Sequence, residues 1–175
     1  MKRIEDYSRI LPINELYTAV QGEGSRAGFP TVVVRVTGCT HRCCFGEGGW
    51  CDSWYSSIHA EPGKHTMQDV VDLIEANSQI GDIMLTGGSP TMYPEIVNEF
   101  TYIAKEYGMF LTMETEGSSF VETDYQIDLL SISPKFSNSI PKLGDKTPQG
   151  QIVDQRFIDF HNRYRLNKVV IMSMI

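Results

Sequence analysis

A chain of 175 residues, 41% of them hydrophobic, is long enough to bury a core of its own as one domain over 1–175. The 22 acidic against 15 basic side chains leave a net charge of -7, which argues against non-specific binding to nucleic acid or to an anionic membrane. No apolar run approaches the roughly 20 residues of a membrane helix. The N-terminal Met1-Lys2-Arg3-Ile4-Glu5-Asp6-Tyr7 lacks the apolar segment of a signal peptide, so a cytoplasmic protein is expected.

Residues 13–20 read as a strand that ends at Gln21-Gly22-Glu23-Gly24, where two glycines permit a tight loop. Residues 31–36 form a continuous β-branched run, the pattern of a strand covered on both faces in a parallel sheet. Arg35 interrupts it. An arginine there is either half of a strand-end salt bridge or a clamp on an anionic substrate. No periodicity is visible over 37–65, a length of loop that is usually functional. Thr66 as N-cap with Asp69 three residues on opens a helix whose apolar face holds Val70, Val71, Leu73 and Ile74. A short strand over 82–86 closes on Gly87-Gly88-Ser89-Pro90. The helix that follows starts at Pro94, repeats apolar residues every three or four positions and stops at Gly108. Strands are expected over 109–115 and 127–133, then a Ser-, Pro- and Gly-rich ordered lid or mobile loop to about 151, a helix over 154–165 and a last strand over 168–172. Strand and helix in alternation imply a parallel sheet with right-handed crossovers, with ligands at the carboxyl ends of the strands. Gln21, Cys39, Gly87, Glu114 and Ser133 should then converge on one rim.

All four cysteines fall between Cys39 and Cys51. A single run holding every thiol, with a CxxxC start and flanking glycines, is first of all a metal-binding loop. Structural zinc usually takes two Cys pairs from separate hairpins. Cys43 and Cys44 are adjacent and hard to aim at one ion, which leaves three thiolates and a spare, the count for an iron-sulfur cluster with one open iron. Cys44 is the expected spare, because it points the other way on an extended backbone.

Gln21-Gly22-Glu23-Gly24, the cysteine loop ending in Trp50-Cys51-Asp52-Ser53, and Ser133-Pro134-Lys135 together resemble the radical S-adenosylmethionine enzymes and, within them, the 7-carboxy-7-deazaguanine synthase family. The resemblance runs over 13–171. It implies an α/β fold, a partial (β/α) barrel built on a parallel sheet and shortened at its C-terminus, with 37–65 as the cluster-binding loop. It also implies a 4Fe-4S cluster on Cys39, Cys43 and Cys51. S-adenosylmethionine would lie among Trp50, Cys51, Asp52, Gly88, Glu114, Ser133, Pro134 and Lys135. Val20, Gln21, Gly22, Glu23, Arg35 and Thr86 would bind 6-carboxy-5,6,7,8-tetrahydropterin, and Ser53 would hold Mg2+. The implied reaction is a radical ring contraction with loss of ammonia, served by a low-potential electron donor of flavodoxin or ferredoxin type, in a homodimer. A carboxylated substrate suits the two-point fork of Arg35. Three departures from the family pattern stand out: six residues, 44–49, between Cys43 and Trp50, where the common spacing has one; Ser89 where the Gly-Gly-Glu-Pro segment has glutamate; and an expected end of the chain soon after the last strand, where family members usually continue. In the segment that matches Glu-Thr-Asn-Gly, the third residue is Glu116. A glycyl-radical activating enzyme of the same superfamily is one alternative, and a non-catalytic zinc module on Cys39, Cys43 or Cys44, Cys51 and His41 is another.

Overall fold

The computed structural model describes residues 2–163. The last expected strand, 168–172, and the end of the expected helix past Arg163 lie outside the described residues. Five strands form one open sheet in chain order: β1 (Ile13–Val20), β2 (Pro30–Val36), β3 (Asp82–Gly87), β4 (Phe110–Thr115) and β5 (Leu129–Ile132). β2, β3, β4 and β5 run parallel. The expectation of a wholly parallel sheet fails at its first pair, since β1 is antiparallel to β2. The reason is chain length: the link over 21–29 is enough for a hairpin loop but too short for a crossover.

Helix α1 (Met67–Ala76) begins on a capping box, with Asp69 N–H donating to the Thr66 hydroxyl at 3.0 Å and Thr66 N–H donating to the Asp69 carboxylate at 2.7 Å. Helix α2 (Pro94–Tyr107) carries proline in its first turn and ends on Gly108 in the left-handed region, φ 63°. A third helix, α3 (Gln155–Arg163), follows the long connection after β5. No helix among the described residues is long and apolar enough to cross a membrane.

The two-residue period of the strands divides the sheet into unlike faces. Val32, Val34 and Val36 of β2, Ile83 and Leu85 of β3, and Leu111 and Met113 of β4 pack into the main core with Met67, Val70 and Ile74 of α1 and Ile96, Val97, Phe100 and Ile103 of α2. Residues of opposite parity form the other face, and near the strand ends they are polar. Arg35 pairs in register with Thr86, the Thr86 hydroxyl donates to Glu114 at 2.6 Å, and Glu114 pairs with Ser131. A row of hydrogen-bonding side chains thus crosses four strands on the face away from α1 and α2.

Candidate functional site

The polar row forms one wall of a cavity of about 390 Å³ at the carboxyl ends of the parallel strands. Arg35, Thr86, Glu114 and Ser131 line it from the sheet; Cys39, His41, Cys43, Cys51, Asp52 and Ser53 line it from the cysteine loop; Gly88, Glu116, Ser133 and Lys135 come from the turns after β3, β4 and β5. A neighbouring hollow of about 380 Å³, lined by Gln21 and Gly22, shares Glu23, Asp52 and Glu114 with it. Gln21 is buried, and its side-chain Nε2 finds no acceptor among the described residues. Three sequence-derived candidates are not brought to either wall. Val20 is exposed at the end of β1, Pro134 lines neither space, and Trp50 packs edge-on against Phe157 of α3 while its indole N–H donates to Lys146 O at 2.8 Å. A separate apolar hollow of about 200 Å³ beside β5 holds no titratable side chain.

The cysteine loop reaches the cavity by a local device. Phe45 N–H donates to Gly49 O at 2.7 Å, Cys44 bridges Trp50, and Gly46 and Gly48 take positive φ, so the extra residues project as a small hairpin. Cys51 returns beside Cys43, its N–H donating to Cys43 O at 3.1 Å. The additional spacing therefore separates the two cysteines in sequence and not in space. Cys44 lies outside the cavity lining, and its thiol donates to Gly46 O at 3.1 Å.

The sequence marked the segment after Lys135 as an ordered lid or a mobile loop, and it is an ordered strap. Its Ser139 O accepts from Cys44 N–H at 2.9 Å, and the Thr147 hydroxyl lies 2.8 Å from His59 Nε2. From α3, His161 Nδ1 accepts from Arg42 N–H at 3.1 Å, and its ring meets that of His41 edge to face. These ties to the loop over 37–65 come from far along the chain, and no local pattern announced them.

The two glycines after β3 are required by neighbouring backbone. A Cβ on Gly87 would lie 2.1 Å from Val36 O, and one on Gly88 would lie 2.0 Å from Gly38 O and 2.4 Å from Ser56 O. Close approach of the β3 end to the β2 end is thus what places the cysteine loop against the sheet.

The donor set fits an iron-sulfur cluster. Burial pushes the Cys39 and Cys43 thiols up to about 12, so they stay protonated until a strongly electrophilic group displaces the protons. Three thiols, those of Cys39, Cys43 and Cys51, line the one cavity, the count that a cluster with one open iron needs. Burial also holds the His41 imidazole below its ordinary value, and hence neutral. Arg35 Nε donates to Glu15 at 2.5 Å across the β1–β2 pair, with its guanidinium over Tyr55. The salt-bridge reading of that arginine holds, and the residue also lines the cavity.

A family model described as a 4Fe-4S single cluster domain matches residues 20–139. The 7-carboxy-7-deazaguanine synthase of Halobacterium salinarum is 36% identical over 140 residues, 80% of this chain and 51% of that protein. Those of Rhodopirellula baltica, 36% over 135 residues, and Bacillus cereus, 33% over 139 residues, cover 77% and 75% of this chain and 49% and 56% of their own lengths. The chain spans about half the length of the curated relatives it matches. The crystal structure of QueE from Escherichia coli superposes with a TM-score of 0.54 at 21% identity, covering 86% of this chain and 67% of that one. The mostly parallel α/β architecture is therefore shared with it, with the five-stranded sheet left open.

Proposed function

Since the chain belongs to the 4Fe-4S single cluster family, we propose that it is a radical S-adenosylmethionine lyase that converts 6-carboxy-5,6,7,8-tetrahydropterin to 7-carboxy-7-deazaguanine with loss of ammonia. The observation that carries this reading is the meeting, in one cavity, of three thiols with the row Arg35, Thr86 and Glu114. Relatives named for that activity support it. Cys39, Cys43 and Cys51 would hold the cluster, which with bound S-adenosylmethionine would supply the one-electron chemistry of hydrogen abstraction.

The protein's own part is to bind, orient and exclude water. Arg35, already held by Glu15, presents its remaining N–H donors to the substrate carboxylate. Gln21 and Glu23 read the donor and acceptor edge of the pterin, and the unengaged Gln21 amide suits that task. Thr86 and Glu114, joined by their hydrogen bond, border the reacting ring. Ser53 and the neighbouring Asp52 offer the hard oxygen donors that Mg2+ prefers. A flavodoxin- or ferredoxin-type protein supplies the electron, and the enzyme works as a homodimer in the cytoplasm.

Anaerobic incubation of the reconstituted protein with S-adenosylmethionine, a low-potential reductant and the carboxypterin, followed by mass detection, should yield the deazaguanine acid. Arg35→Lys should weaken use of the pterin at least about tenfold while cleavage of S-adenosylmethionine without pterin persists. Loss of both in equal measure would assign the arginine to the fold, through Glu15.

A further inference from the structure

Glu116 is 5% exposed at the turn after β4, yet it borders the cavity. Its Oε1 accepts from the Thr40 hydroxyl at 2.7 Å and from the Ser118 hydroxyl, and its Oε2 accepts from the Thr115 hydroxyl at 3.3 Å. Burial alone would raise its pKa, but these hydrogen bonds outweigh it and hold the carboxyl below the ordinary range, with Ser89 acting in the same sense. The group is therefore an anion at neutral pH. Hydroxyls orient an anion without neutralising it. Among the described residues no Lys, Arg or His nitrogen lies within ion-pair distance of it.

The cations nearby are engaged elsewhere: Arg42 donates to Cys39 O and His41 O, Lys135 donates to the Ser133 hydroxyl at 2.8 Å, and Arg35 is bound to Glu15. The lining carries Glu23, Asp52, Glu114 and Glu116 against Arg35 and Lys135, an excess of negative charge that suits a positively charged guest. The hydroxyls satisfy the carboxylate oxygens but bring no counter-charge, which a cationic ligand would supply.

From this geometry we infer that the Glu116 carboxylate binds the α-amino group of the S-adenosylmethionine that the proposed function requires. Thr40 lies between Cys39 and Cys43, so its hydroxyl fixes Glu116 beside the thiols around which the cluster would assemble. The placement also accounts for two sequence departures together. Where the resembled pattern has an acid, the buried Ser89 leaves no charge, and a new acid stands at Glu116 within its influence. One carboxylate serves the site from a different turn.

The test is equilibrium binding by calorimetry to anaerobically reconstituted protein, comparing the wild type with Glu116→Gln and Glu116→Asn. The probes are S-adenosylmethionine, S-adenosylhomocysteine, which keeps the amino acid without the sulfonium charge, and methylthioadenosine, which lacks the amino acid. Both variants should keep wild-type iron and sulfide, bind the first two probes at least about tenfold more weakly and bind methylthioadenosine unchanged. Unchanged affinity for S-adenosylhomocysteine, an equal loss for methylthioadenosine, or loss of the cluster in both variants would each overturn the assignment. Failure of the wild type to bind S-adenosylmethionine would instead remove the proposed function on which the inference rests.

Discussion

Two glutamates, Glu99 on α2 and Glu116 at the rim, are buried to a similar degree and serve different ends. Glu99 accepts from the Arg3 guanidinium, the Tyr7 hydroxyl at 2.5 Å and the Ile4 N–H at 3.0 Å. Its charge is balanced within the chain, and it ties the N-terminal segment to the middle of α2. Glu116 has three hydroxyls as donors and no ion-pair partner among the described residues. The contrast separates a carboxylate that holds a fold together from one poised for a ligand. It extends to the regions around them, since the helix-covered face is apolar and the opposite face carries the polar row and the thiols.

The largest effect should come from the rim. Cys39→Ala, Cys43→Ala and Cys51→Ala should each abolish the absorbance of the reconstituted cluster, and Cys44→Ala should keep it, because its thiol faces Gly46 O and not the cavity. Loss of the cluster in Cys44→Ala with retention in Cys43→Ala would reverse the two roles.

Next comes the comparison itself. Glu99→Gln should lower unfolding free energy in urea by about 2–3 kcal/mol, the lower end for a broken buried pair because Arg3 can return to water. Glu116→Gln should cost less, about 1 kcal/mol, since the Gln side-chain oxygen can still accept from the surrounding hydroxyls and no cation loses its partner. Similar losses for both would erase the distinction. Acid sharpens it. Burial works to raise the Glu99 pKa, but Arg3, Tyr7 and Ile4 outweigh it and hold the carboxyl below its ordinary 4.5. The unfolded chain then takes up the proton first, so the contribution is full above that value and is lost as pH falls through and below it. The gap between wild type and Glu99→Gln should therefore narrow in urea titrations run at progressively lower pH from 4.5.

The smallest effect lies far from either glutamate. Thr66→Ala should cost about 1 kcal/mol through the lost cap on α1, measured by thermal unfolding, with the cluster spectrum unchanged.

What the amino-acid order determined by itself is local. Thr66 with Asp69, Pro94 with Gly108 and the β-branched run of β2 act through neighbours a few residues away, and each element forms where the pattern places it. The crowding of all four cysteines into 39–51 belongs to the same class. The antiparallel β1–β2 pair was legible in its short link, but the repeating strand and helix pattern outweighed that signal. Other features depended on which strands became neighbours. The Arg35, Thr86, Glu114 row exists only once β2, β3 and β4 pair in register. The hydrogen bond from Thr40 to Glu116 joins residues 76 positions apart, and that from Arg42 to His161 spans 119. No periodicity encodes a contact of that separation: tertiary structure decides which buried charge meets a partner and which is left for a ligand, because the energy of a charge depends on everything packed around it.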